Sequence, residues 1–465
     1  MADDVLPPEI LTEILSRLPV KSLLRFRSTS KSLKSIIDSH NFINLHLKNS
    51  LNRSFFIRLK SNIYQIEDDF SNLTTAVPLN HPFTRNSTNI ALIGSCNGLL
   101  AISNGEIALR HPNAANEIAI WNPNIRKHRI VPFLPLPITP RSPSDMNCSL
   151  CVHGFGFDPL TGDYKILRLS WLVSLQNPFY DSHVRLFSSK TNSWKIIPTM
   201  PYALVYAQTM GVFVENSIHW IMAKKLDGLH PSLIVAFNLT LEIFNEVPLP
   251  DEIGEEEVNS NGRVEIDVAV LGGCLCMTVN YEATKIDVWV MKEYGSRDSW
   301  CKLFTLVKSW LTLRLKSSSP LCYSSDGSKV LMEGIEVLLE VHHNKLFWYD
   351  LKTEQVSYEG IPDFDGARIC VGSLVPPSFP DNSRKKENHT SKSKERYFLL
   401  IIRVFWIFAV YKLIPVQWTV VWYMQLNSAK GQFEFLFIIG KGFSNYFEFS
   451  TFVCLCMWQK IEFLL

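Results

Sequence analysis

What this chain lacks first is charge of one sign. Its 46 Lys and Arg residues almost cancel 44 Asp and Glu residues, leaving a formal net charge of +2 over 465 residues. That balance gives no electrostatic case for nucleic acid or an acidic substrate. A cysteine framework is also missing, because the ten cysteines are scattered without regular spacing. Free thiols in a reducing compartment, cytoplasm or nucleus, are therefore expected. The N-terminal MADDVLPPEI is acidic and has no apolar core, so it does not read as a secretory signal. Triplets such as Asn86-Ser87-Thr88 then carry no weight as glycosylation sites.

Signatures of chemistry are incomplete. Cys148 and Cys151 precede His153, but no second ligand pair follows at a telling distance. Gly154-x-Gly156 lacks the third glycine and the helix of a dinucleotide fingerprint, and reads as a strand bend. Gly94-Ser95-Cys96-Asn97-Gly98 has the outline of a nucleophile elbow. The apolar run that follows it continues as strand, so a tight turn on Asn97-Gly98 is the better reading. Cys274 and Cys276 alternate on a strand and read as packed thiols, while His342 and His343 would point to opposite faces. The acidic run 251–257 reads as a solvated loop. No catalytic residue, metal ligand or cofactor site is assigned.

What is present begins with helical spacing. Pro7 and Pro8 suit a first helical turn. Ile10, Leu11, Ile14, Leu15 and Leu18 then recur at three- and four-residue intervals, and Pro19 ends the helix. Leu23, Leu24 and Phe26 form a second stripe, and Leu33, Ile36 and Ile37 a third after the possible N-caps at 28–30. Phe42, Leu45 and Leu47 form a fourth. So short a cluster leaves apolar surface open unless a partner covers it. On periodicity alone, an ordinary small helical domain with all these residues in its own core is the competing reading.

From about residue 54 to 375 strand-and-turn chemistry replaces the helices. A unit recurs: an aromatic strand, a polar turn, a second apolar strand and often a Pro. Its cores are Trp121, Phe187, Phe237, Trp289 and Trp348, separated by 66, 50, 52 and 59 residues. A period near 50 with about four strands per unit predicts a propeller of kelch size, roughly six blades long. The segment 55–66 would complete the last blade, joining both ends of the ring in one sheet. A pair of β-sandwiches is the alternative.

These segments carry a family resemblance. Leu6-Pro7, Ile10-Leu11, Ile14-Leu15, Leu18-Pro19, Lys21-Ser22-Leu23-Leu24-Arg25-Phe26-Arg27, Ser30-Lys31 and Phe42-Ile43 closely resemble the F-box. Two positions depart from that pattern: Ser28 and Leu33 stand near where the family often has Cys and Trp. GFGFDPLTGDYKILRL at 154–169, SCNGLLAIS with IWNP at 120–123, and VWVMKEYG with DSW at 298–300 resemble the F-box-associated domain of plant proteins. The kelch label is loose, since only Gly272-Gly273 supplies a di-glycine. Among its relatives the chain looks most like receptors that restrain immune-receptor levels, though pollen S-locus F-box proteins share much of the pattern.

The resemblance implies a multidomain chain. Residues 1–48 would be a small all-α F-box module, and 49–375 an all-β, kelch-like propeller that binds substrate. Residues 376–396 have linker composition. By resemblance, Leu6, Pro7, Ile10, Ile14, Leu18, Pro19 and Leu23 would lie on or near the surface that binds a Skp-type linker protein, and through it a cullin scaffold. The chain would be the non-catalytic substrate receptor of an SCF-type ubiquitin ligase, with an unknown protein substrate. A kelch-type propeller enzyme and a membrane-tethered receptor are the alternatives.

Residues 397–465 change character. Nineteen of these 69 residues are Phe, Trp or Tyr, and none is Asp. Residues 397–414 are long enough to span a bilayer, although Arg403 and Lys412 interrupt them. The tail reads as a membrane anchor, as a segment packed on the propeller, or as an unselected extension without a stable fold. Its composition favours the last.

Overall fold

The computed structural model describes residues 7–377, apart from segments 51–52, 67–75, 85–89, 105–107, 110–116, 136–146, 175–179, 205–209, 225–232, 254–263, 283, 339–340 and 359–363, together with strands 418–427 and 432–441. The chain divides into a unit spanning 1–381 and a second spanning 382–465.

The first unit opens with four helices: α1 (Pro8–Ser16), α2 (Val20–Thr29), α3 (Lys31–Ile37) and α4 (His40–Asn49). Both Leu-Pro pairs act as starts, since Pro7 and Pro19 occupy the positions before α1 and α2. Ser30 and Ser39 cap α3 and α4 by accepting bonds from backbone N–H groups that the first turn leaves unpaired.

Six blades follow. The first joins both ends of the ring, in the order Gly366–Val371, Arg53–Leu59, Asn62–Ile66 and Val77–Leu79. Its closing pair runs from Arg53 opposite Val371 to Arg58 opposite Gly366. The second blade holds Ile90–Cys96, Leu99–Asn104, Ile118–Asn122 and Lys127–Ile130. The third holds Asn147–Asp158, Asp163–Ser174, Tyr180–Ser188 and Ser193–Ile197, with Ala108–Leu109 added beside its first strand. The fourth is built on Ser217–Ala223, which pairs with both Ala203–Leu204 and Val212–Val214, followed by Leu233–Asn238 and Phe244–Val247. The fifth runs through Val264–Leu271, Cys274–Tyr281, Lys285–Met291 and Trp300–Val307. The sixth runs through Leu315–Tyr323, Lys329–Leu338, Val341–Asp350 and Val356–Tyr358.

The five aromatic cores of the repeat each fall on the third strand of a blade. All are buried, from Phe187 and Phe237 at 0 % exposure to Trp348 at 9 %. An apolar core fills the space between every pair of neighbouring blades, as the stacking argument requires. The polar turn of the unit also has a physical basis. Asn122, Asn238 and Asp350 accept backbone N–H bonds two and three residues ahead. Four residues after each, Arg126, Glu242 and Glu354 take a left-handed conformation.

In the second unit Trp418–Asn427 pairs antiparallel with Gln432–Lys441, from Trp418 opposite Lys441 to Asn427 opposite Gln432. A lone two-stranded hairpin is marginal in water, so it does not by itself make a domain. The apolar span 397–414 lies outside the described residues. Among the described residues no helix is long and apolar enough to cross a membrane.

Candidate functional site: an open face on the helical module

The four helices build one small core from Leu15, Val20, Leu23, Ile37 and Phe42, with Leu374 contributed from beyond the last blade. Leu11, Leu18, Leu33 and Ile36 pack at its edge. Ile10 is 50 % exposed, Ile14 48 % and Phe26 42 %. Ile10 and Ile14 lie four residues apart on α1, so they share one face. Pro7 and Pro19 are also exposed, and Leu18 is half-buried. The module therefore does not bury all of its apolar stripes. Leu6 lies outside the described residues.

Leu23 needs a correction. Its side chain is fully buried among the core residues, so it holds the helices together and offers no surface to a partner. The fourth stripe also shifts. Phe42 and His46 are the buried residues of α4, while Leu45 and Leu47 are half-buried.

His46 was not foreseen. It is 0 % exposed, stacks on Phe42 at 6.2 Å, and has Nε2 at 3.0 Å from the Leu18 carbonyl oxygen. The neutral tautomer with its proton on Nε2 donates to that carbonyl, which α1 leaves free just past its end. Burial pushes the His46 pKa down and outweighs the carbonyl contact. The signal was its spacing: Phe42 and His46 stand four apart on one helix. Asn49 adds a tie from α4 to α1, donating from Nδ2 to Ser16 Oγ at 2.8 Å. Arg27 pairs with Asp38 across α2 and the end of α3, with Nη2 to Oδ2 at 2.9 Å.

The ring offers structure where chemistry was sought. Asn97 and Gly98 both have positive φ and join two antiparallel strands, which is a hairpin turn and not an elbow. Burial pushes the Cys96 thiol pKa far up, so no thiolate forms there at neutral pH. The Cys151 thiol is pushed up to about 11 by the same cause. Cys148 and Cys151 stand three apart on one continuous strand. Cys276 is buried in the core between the fifth and sixth blades, and Cys274 packs against it from the same face. Among the described residues no three His, Cys, Asp or Glu side chains converge as metal ligands.

The strand of Gly154 and Gly156 pairs without a register shift from Asn147 to Asp158. The two glycines make room for the fourth blade. A Cβ on Gly154 would lie 2.4 Å from an Ile218 methyl and 2.8 Å from Trp220, and one on Gly156 would lie 2.3 Å from Phe213. The motif ends in a buried knot. Asp158 and Lys165 pair at 2.9 Å with side chains 0 % and 7 % exposed. Thr240 donates to Asp158 at 2.6 Å, and Lys165 donates to the Leu239 carbonyl at 2.6 Å. Burial opposes the Asp158 charge, but Thr240, Thr161 and Lys165 outweigh it and hold the carboxyl below its usual range.

Comparison with known proteins follows this geometry. Residues 4–45 match the F-box domain, and residues 54–366 match the F-box associated beta propeller domain. The chain therefore belongs to the F-box proteins that carry an F-box-associated propeller. It is 31 % identical over 411 residues to F-box protein CPR1 of Arabidopsis thaliana, covering 84 % of this chain and 93 % of that one. A second Arabidopsis thaliana F-box protein is 28 % identical over 388 residues, covering 79 % of this chain and 90 % of that one. F-box/WD-40 repeat-containing protein 1, also from Arabidopsis thaliana, is 27 % identical over 401 residues, covering 82 % and 91 %. These names establish the family, and none of them speaks of immune receptors. Among solved structures, a Bombyx mori GH32 beta-fructofuranosidase aligns with a TM-score of 0.35 at 12 % identity, over 58 % of this chain and 62 % of that one. A likeness that slight carries no argument about activity.

Proposed function

We propose that this chain is the substrate-recognition subunit of an SCF-type ubiquitin ligase and performs no catalysis itself. The observation that carries the reading is the uncovered apolar face of the helical module. Ile10 and Ile14 stand half-exposed on one side of α1 while the opposite side is packed, and Pro7 and Pro19 are exposed as well. A Skp-type linker would cover that face and connect the chain to a cullin scaffold. Leu18 would lie at the rim of the contact, and Leu23 would support it from within.

The client would be held at the other side of the ring. Strands in a blade alternate in direction, so connections between first and second and between third and fourth strands share one face. They include the turns at 97–98, 215–216, 272–273 and 351–355. The helices sit on that face, with Ile125 of one such turn packed against their core. The opposite face carries the connections between second and third strands and those from blade to blade. A protein substrate gripped there would be presented to ligase machinery assembled on the helices. The chain would then contribute proximity, raising the local concentration of substrate lysines. Cytoplasm or nucleus is the expected site of action.

Pull-down with a Skp-type linker tests the docking. The full chain should bind, and the Ile10→Asp/Ile14→Asp chain should lose binding while its ring melts as before. Undiminished binding by the variant would refute the docking face.

A further inference from the structure

The helical module has a core that its own residues do not complete. Leu374 belongs to that core and is 7 % exposed, although it lies more than 300 positions beyond α4 and follows the strand that closes the ring. The short segment after that strand is anchored on both sides. Ser50, at the end of α4, donates from its hydroxyl to the Gly372 carbonyl at 2.9 Å. Asn122, on the second blade, donates from Nδ2 to the carbonyls of Ser373 at 2.9 Å and Val375 at 2.8 Å. Ser373 is fully buried, and its hydroxyl accepts the Val375 N–H at 2.9 Å. Val375 enters the core between the second and third blades. Successive apolar side chains thus go to different domains: Leu374 to the helices and Val375 to the ring. The turn beneath leaves no slack, because a Cβ on Gly98 would lie 2.0 Å from the Ser373 Cβ.

We propose that Leu374 is a positioning residue for the docking face, so that the helices adopt their binding form only on a closed ring. The physical reason is size. A four-helix cluster of about 40 residues buries too little apolar surface to be secure alone. Its missing core side chain arrives only when 366–371 has paired with 53–59. A chain whose ring has not closed would present a loosened docking face and join the ligase poorly. The same anchorage fixes the direction of the docking face relative to the loops on the far side of the ring. The link to ligase assembly rests on the function proposed above, while the dependence of the helices on Leu374 does not.

Hydrogen exchange on the full chain separates the two. In Leu374→Ala, amides of α1, α2 and α4 should exchange about 30-fold faster or more. Amides of the fourth and fifth blades, remote from residues 372–375, should stay at the wild-type rate. Leu374→Met should restore the wild-type pattern, since volume is nearly kept. If the Ala variant does not fold, Leu374→Val carries the same test with about a fourfold change, the worth of one methylene. Helical exchange within twofold of wild type in the folded variant would overturn the proposal. Should the wild-type chain fail to bind a Skp-type linker while exchange responds as expected, the ligase reading falls and the coupling stands.

Discussion

The helices and the ring solve the same burial problem in opposite ways. Each blade is covered on both faces by its neighbours, and the ring closes on itself through the pairing of 366–371 with 53–59. Within the ring, the buried Asp158 carboxylate meets the Lys165 ammonium and the Thr240 hydroxyl. The helical module leaves Ile10 and Ile14 half-exposed and borrows Leu374 to finish its core. The lesson is that self-sufficiency marks the part that scaffolds, and incompleteness marks the part that docks.

That contrast can be broken most forcefully in the ring. Lys165→Met should leave Asp158 buried without its cation and cost about 3–5 kcal/mol of ring stability, measured by thermal or denaturant unfolding. A loss below about 1 kcal/mol would mean the knot is not a stabilising element. On the helices the expected effect is on binding instead. Ile10→Asp/Ile14→Asp should weaken linker affinity by about 30-fold or more, the worth of a hot spot, with the unfolding midpoint of the ring unchanged. A parallel fall in ring stability would erase the distinction between the two regions.

Acidity should act on the helices through His46. Its folded pKa lies below the ordinary ~6.5, so the unfolded module binds protons more readily than the folded one. The stability it supports is full above ~6.5 and declines as pH falls below that value towards the folded pKa. Protection factors of α1 and α4 should drop between pH 7.5 and 5.5, and His46→Gln should abolish that step. A pH-independent profile in the wild type would remove His46 from the account. The smallest effect is expected from the tail. Removing residues 382–465 should change the stability of the first unit by no more than about 0.5 kcal/mol. A protease-resistant fragment covering 397–465 would show instead that the tail folds on its own.

Much of the architecture was legible in the order of residues. The aromatic cores at Trp121, Phe187, Phe237, Trp289 and Trp348 fell on equivalent strands because a stacked repeat imposes the same burial at the same place in each unit. The segment 55–66 was readable as the closing piece because a ring must hide its last edge. Helical spacing placed Ile10, Leu11, Ile14, Leu15 and Leu18 on one stripe, but it did not tell that Leu15 is buried while Ile10 and Ile14 stay half-exposed. Nor did it reveal the burial of Leu23, because spacing tells which residues share a stripe and is silent on whether a neighbouring helix covers it. The glycines of 154 and 156 were read as a bend, when their cause is a side chain from the next blade. His46 escaped notice because a histidine among leucines becomes a core residue only when a distant carbonyl, here that of Leu18 between α1 and α2, accepts its proton.

By itself the sequence determined the periods: 3.6-residue stripes for the helices, alternation for the strands, and a spacing near 50 for the blades. Those are local consequences of backbone geometry, so they survive without knowledge of partners. Tertiary structure alone decided which side of each helix stays open and which glycine must be bare. It also decided that Leu374 and Val375, adjacent in the chain, serve different cores. Contacts between residues hundreds of positions apart depend on how the chain closes, and closure is a property of the whole ring.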